Sequence, residues 1–247
     1  MLNIVIPMAG RGQRFADAGH SQPKPLIPVH GTPMIKVVVD NLRPSQPHRF
    51  IFLALAEAIS AHKLESKLEA WAPNSICVPV SGITEGAACT VLLARDFIEN
   101  EEPLMIANCD QYIEGSVDQY IDSMGDSDGL IMTMTAKDPK WSFVRRDASG
   151  RVVEVVEKKA VSDEATVGIY NFRTGRQFTM AADEMISENL RVNGEFYVAP
   201  TYNSMISKGS TVRTFNVGTV GSGMHGLGTP KDLEAFLESV ASDTLRA

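Results

Sequence analysis

Residues Ile4 to Ile35 constrain the fold more than any other stretch, because an apolar strand runs straight into a glycine-rich turn and then into a lysine framed by prolines. Ile4, Val5 and Ile6 precede Pro7, and the turn reads Ala9-Gly10-Arg11-Gly12-Gln13-Arg14-Phe15. Glycines in such a turn can take positive φ and let backbone N–H groups approach phosphate oxygens with no Cβ in the way. Lys24 lies between Pro23 and Pro25, which stiffen the chain on either side of a single cation.

The rest of the first half has the rhythm of βαβ units. Apolar runs at Ile4–Ile6, Phe50–Ala56, Ile76–Val80 and Leu104–Ala107 alternate with segments of helical period. Met34, Val37, Val38 and Leu42 share one helical face, as do Ala61, Leu64, Leu68 and Trp71. After Asp110 the pattern changes to a helix over Gly115–Met124, extended runs at Leu130–Ala136, Val152–Val156 and Thr166–Phe172, and helices near Thr174–Glu188 and Pro230–Val240. Leu233, Phe236, Leu237 and Val240 of the last helix make a stripe that should dock on the domain.

A chain of 247 residues with 44% hydrophobic and 21% charged residues is that of an ordered globular protein. The net charge of −7 opposes nucleic-acid binding through a broad basic surface, while leaving room for a small anion held by a few local cations. No apolar run approaches the ~20 residues that cross a bilayer, and no secretory leader is read at the N-terminus. Cys77, Cys89 and Cys109 have neither disulfide nor zinc spacing, which fits a reduced cytoplasm.

Together, Ala9–Phe15 and Pro23–Ile35 resemble the N-terminal signature of sugar-1-phosphate nucleotidylyltransferases, the pyrophosphorylases that couple a nucleoside triphosphate to a phosphorylated metabolite and release pyrophosphate. The likeness continues at Ile106–Asp110, Val155–Lys159, Val167–Phe172 and Gly226–Leu233, and is greatest for short single-domain members found with capsule and surface-polysaccharide genes. It implies a Rossmann-like three-layer αβα sandwich with a mixed, mainly parallel central sheet. One domain is expected over 1–247, with 1–115 as the nucleotide half and 116–247 as the acceptor half. No additional β-helix domain is expected.

The resemblance also implies roles. Arg14 grips the β- and γ-phosphates, Lys24 bridges the α-phosphate and the incoming phosphate, and Lys158 meets the phosphate of the second substrate. Asp110 follows an apolar strand and so stands where ligands bind in open α/β sheets, as a ligand for Mg²⁺. Met8, Ala9, Gly10, Arg11, Gly12 and Asn108 are implied to line the nucleotide, Ser81, Gly86 and Ala87 its base, and Gly168 and Glu195 the acceptor.

Three positions depart from the family pattern. Relatives commonly carry a second metal-binding aspartate where this chain has Gly226, so that either a water, His225 or Asn216 completes the coordination, or the metal is held mainly by Asp110 and the nucleotide. Lys159 replaces a usual proline, and Ser81 stands where many relatives have a base-reading glutamine. The donor is therefore open among CTP, UTP and dTTP. Two other readings follow from the same residues: a glycosyltransferase that binds a nucleotide sugar, and an inactive nucleotide-binding regulatory descendant. Assembly into a homo-oligomer also remains open.

Overall fold

The computed structural model describes residues 1–245. Its strands in chain order are β1 (Leu2–Pro7), β2 (Pro28–Val29), β3 (Thr32–Pro33), β4 (His48–Leu55), β5 (Ile76–Val80), β6 (Leu104–Ala107) and β7 (Gln111–Ile113). There follow β8 (Gly129–Thr135), β9 (Ser142–Arg146), β10 (Val152–Glu157), β11 (Glu164–Phe172), β12 (Val212–Val220) and β13 (Gly223–Gly226). β2 and β3 form a small hairpin of their own, and the other eleven strands make one sheet. Its main path is β5-β4-β1-β6-β11-β8-β12-β13-β7, with β9 joining β10 to β11.

The strands β5, β4, β1 and β6 are parallel, as are β8 with β12 and β12 with β13. β11 runs antiparallel between β6 and β8, and β7 runs antiparallel to β13. This is the mixed, mainly parallel sheet that the sequence implies.

β1 is apolar at nearly every position because both of its faces are covered, as in parallel sheets generally. Successive side chains point to opposite faces, so Ile4 and Ile6 enter one core with Phe50, Phe52, Ile35 and Val38. Val5 enters the other with Ile51, Leu53, Phe178 and Ala182. The helix Met34–Asn41 covers the first face and the helix Gly175–Ser187 the second. The Ala61–Trp71 stripe is interrupted: Lys63 takes φ of 49°, so two short helices meet there, and Leu64 and Leu68 carry the burial while Ala61 is exposed.

Four strands of the main sheet were not foreseen. β9 has only Phe143 and Val144 as an apolar pair, and β7 and β13 are too short to show a period. β12 is long but mostly half-exposed, with Gly218 breaking its alternation. β10 pairs on one side with β9; on its other side the carboxamide of Asn203 accepts from Val155 N–H at 2.8 Å and donates to Val155 C=O at 2.9 Å.

The second core is closed by Tyr202, whose hydroxyl donates to the carbonyls of Asn171 at 2.8 Å and Leu130 at 3.2 Å and whose ring stacks on Phe172 at 4.6 Å. A Cβ on Gly129 would stand 2.5 Å from a carbon of that ring. Gly129→Ala should therefore cost about 1–3 kcal/mol of stability by overpacking, read by chemical denaturation with far-UV circular dichroism.

Candidate active site

The chain leaves β1, builds β4 and β5 on one side, and then crosses to β6 on the other. The carboxyl ends of β1 and β6 thus flank the point where strand order reverses, which is where open α/β sheets bind ligands. A cleft of about 410 Å³ opens there, lined by Pro7 and Met8 from the end of β1, Gly10, Gly12 and Arg14 from the turn, Lys24, and Asn108, Cys109 and Asp110 from the end of β6. Gly228, just beyond β13, closes it.

An apolar anchor holds the glycine-rich turn. Phe15 is 1% exposed in a third apolar cluster with Ile27, Val29, Leu227, Leu233 and Phe236. The docked stripe of the last helix, Pro230–Leu237, thereby supports the turn from below. Next to Phe15, Arg14 stays exposed on the cleft wall.

The Lys24 ammonium donates to a carboxylate oxygen of Asp110 across the cleft. Only 18% and 25% of the two side chains are exposed. Burial by itself pulls the Lys24 pKa down, but the attraction of Asp110 outweighs it and leaves the value above the ordinary one for lysine, so the amine is a cation at neutral pH. The pair fits because two glycines stand against it. A Cβ on Gly12, whose φ is +61°, would lie 2.9 Å from the Lys24 Cβ, and one on Gly228 would lie 2.7 Å from the Asp110 carboxylate oxygen. Backbone pairing sets this approach: Gly226 opposes Gln111, and Leu227 N–H donates to the Asp110 carbonyl at 2.8 Å. Between Asn108 and Asp110, burial pushes the Cys109 thiol up to about 11, so it stays protonated.

The other expected residues fall in several places. Met8 and Gly10 line this cleft, whereas Ala9 is buried in the second core. Arg11 lines a neighbouring cleft of about 580 Å³ with His20 and His62. Ser81 is exposed directly after β5, and Ala87 begins the helix Ala87–Leu92. Neither lines the cleft around Lys24. The space in front of Gly86, expected to admit a base, is filled by the backbone of Phe196: a Cβ there would strike the Phe196 carbonyl oxygen. Phe196 N–H donates to the Glu85 carbonyl at 2.8 Å, and the Phe196 carbonyl accepts from Ala88 N–H at 3.0 Å. Likewise the space before Gly168 is taken by the Asn108 carboxamide rather than left open.

Lys158 and Glu195 meet through a residue that the sequence did not single out. The Lys158 ammonium donates to the hydroxyl of Tyr197, whose pKa is raised by burial and by the nearby Glu195 carboxylate. That bond to Tyr197 raises the Lys158 pKa above its usual value. Beside them, Glu157 is 9% exposed; burial raises its pKa, and Ser142 Oγ donates to its carboxylate. Gly228 was legible as part of the Gly-Thr-Pro stretch, though its contact with Asp110 was not; nothing in the local sequence marks Tyr197.

Neither substitute expected for a second metal ligand faces the cleft. His225 is 4% exposed, 2.5 Å from a Glu114 carboxylate oxygen, and its ring packs on Phe236 at 5.2 Å. Asn216 is turned along its own strand, accepting from Gly218 N–H at 2.9 Å. In front of Gly226 stands Asp232, whose carboxylate carbon would lie 3.6 Å from a Cβ there and which Thr229 Oγ holds at 2.7 Å. Among the described residues no three metal-binding side chains cluster. Asp110 alone in the cleft suits magnesium, which binds one or two carboxylates and takes its remaining oxygens from water and phosphate.

The cleft thus gathers a glycine-rich turn, two cations and one carboxylate at the reversal point of a doubly covered sheet. Residues 4–199 match the nucleotidyl transferase family, and the chain belongs to it. It is 28% identical over 222 residues to the bifunctional protein GlmU of Burkholderia orbicola, covering 86% of this chain and 46% of that one. The corresponding protein of Cupriavidus pinatubonensis is 27% identical over 218 residues, covering 84% and 45%. The chain thus spans about half the length of these curated relatives. A Vibrio cholerae RC9 structure described as a nucleoside-diphosphate-sugar pyrophosphorylase superposes with a TM-score of 0.83 at 25% identity, over 96% of this chain and all of that one. The inositol-1-phosphate CTP transferase of T. maritima shares the fold with a TM-score of 0.71 at 15% identity, over 94% of each chain.

Removing one partner of the cleft ion pair leaves the other charge largely covered and alone. A double-mutant cycle of Lys24→Met and Asp110→Asn should therefore show the double variant losing less stability than the sum of the singles, by about 1 kcal/mol or more. Urea denaturation of the four proteins measures it.

Proposed function

We propose that this chain transfers a nucleotidyl group from CTP, UTP or dTTP to the phosphate of a phosphorylated sugar or similar small metabolite in the cytoplasm, releasing pyrophosphate. The observation that carries the reading is the juxtaposition of Lys24, Arg14 and Asp110 around a glycine-rich turn in one cleft. Its volume of about 410 Å³ lies within the range of small-molecule sites. The likeness to a protein described as a nucleoside-diphosphate-sugar pyrophosphorylase supports it, and the three unpaired cysteines suit a reducing compartment.

In this reading an acceptor phosphate oxygen attacks the α-phosphorus. The new P–O bond forms as the α–β bridge breaks, and the bridging electron pair leaves with pyrophosphate. No protein nucleophile is needed, and the protonated Cys109 thiol does not offer one. The protein's task is to hold two anions together in line. Lys24 exchanges its hold on Asp110 for oxygens of the α-phosphate and the incoming phosphate, and Arg14 takes charge that accumulates on the leaving group. Residues 1–115 supply these groups, while residues 116–247 hold the acceptor through Lys158, with Glu195 and Glu157 placed for its hydroxyl or amine groups. Mg²⁺, when bound, would offset phosphate charge, and Asp110 is the residue placed to hold it.

The test is a matrix of the common nucleoside triphosphates against phosphorylated acceptors, with Mg²⁺ present and pyrophosphate as the readout. Lys24→Ala and Arg14→Ala should each lower turnover by roughly a hundredfold with the active pair. Full activity in Lys24→Ala would overturn the assignment.

A further inference from the structure

Lys158 follows β10 in a left-handed backbone conformation, with φ of 54°, which a lysine keeps only where its surroundings hold it. Its N–H donates to the Trp141 carbonyl at 3.0 Å, so the root of the side chain is fixed. The tip is fixed as well. The ammonium donates to the Tyr197 hydroxyl and stands 4.5 Å from the centre of the tyrosine ring, and the Glu195 carboxylate lies close enough to the hydroxyl to help raise its pKa.

Tyr197 does not float. It adjoins Phe196, whose backbone is hydrogen-bonded on both sides to the Glu85–Ala88 turn of the other half of the chain. Arg191 reinforces this seam, pairing with Glu85 and lying 4.1 Å over the Phe196 ring. A hydrogen bond to Tyr197 therefore ties the lysine to the half of the protein that carries the glycine-rich turn. A free lysine side chain loses up to ~2 kcal/mol of rotamer entropy when a ligand orders it, and here the ordering precedes the ligand.

We propose that Tyr197 is a positioning residue that aims Lys158 at the acceptor phosphate, occupying one of the three ammonium protons and leaving two for phosphate oxygens. The assignment rests on the nucleotidyl-transfer reading and adds to it a fixed relation between the acceptor's cation and the nucleotide half.

The experiment compares Tyr197→Phe, which keeps the ring and loses the hydroxyl, with Tyr197→Leu, which loses both. With the active substrate pair, Tyr197→Phe should raise the acceptor KM by about tenfold, the scale of one charged hydrogen bond, while the nucleotide KM moves less than about twofold. Tyr197→Leu should raise the acceptor KM further. Independently of turnover, competitive labelling with acetic anhydride and mass spectrometry should show Lys158 reacting severalfold faster in Tyr197→Phe, relative to the other lysines. An unchanged acceptor KM, an equal rise in both KM values, or unchanged Lys158 labelling overturns the assignment. Absence of pyrophosphate release by the wild-type protein with every substrate pair would instead sink the transfer reading and the acceptor role with it.

Discussion

An ammonium and a carboxylate that lie 86 residues apart in sequence meet in one cleft, and much of the architecture exists to bring them there. Lys24 arrives on a proline-stiffened turn, Asp110 on the end of a buried parallel strand, and the wall that presses them together is a glycine beyond β13. A pair this covered gains little net stability, since desolvation offsets most of its attraction. The favourable terms come from the apolar cluster of Phe15, Ile27, Leu227, Leu233 and Phe236, which locks the turn, the strand end and the last helix together beneath the charges. The cluster is thus what keeps a reactive arrangement in place.

The two halves of the sheet meet with different chemistry. At the cleft beyond β1 and β6, Lys24 pairs with Asp110 while Arg14 stays exposed. At the end of β10, Glu157 is buried and held toward its neutral form, and Lys158 is borrowed by a tyrosine. The seam between them is backbone to backbone, through Phe196 and the Glu85–Ala88 turn, so displacement of one loop moves the other.

The parallel core was legible because its strands are continuous apolar runs, and the Lys24 turn because glycine and proline mark it locally. Asp110 could be placed from the strand before it. The strands β7, β12 and β13 were not legible: their pairing is long-range, their apolar content small, and the contact that matters, Gly228 against Asp110, depends on that pairing. Gly86 and Gly168 were read as leaving space for the base and the acceptor, but that space holds Phe196 and Asn108 of this same chain, which only the folded structure reveals. Arg11 illustrates the opposite limit. It lines a different cleft from Arg14, three residues on, and the sequence does not say which of the two faces Lys24.

The Asn203 carboxamide beside β10 has a consequence for how copies of this chain behave toward one another. An outer strand with open N–H and C=O groups invites another molecule's strand to add to it and begin a growing stack. With both bonding groups of Val155 already satisfied by a side chain of the same molecule, that rim presents an interrupted template, and the sheet ends there without needing a partner to finish it.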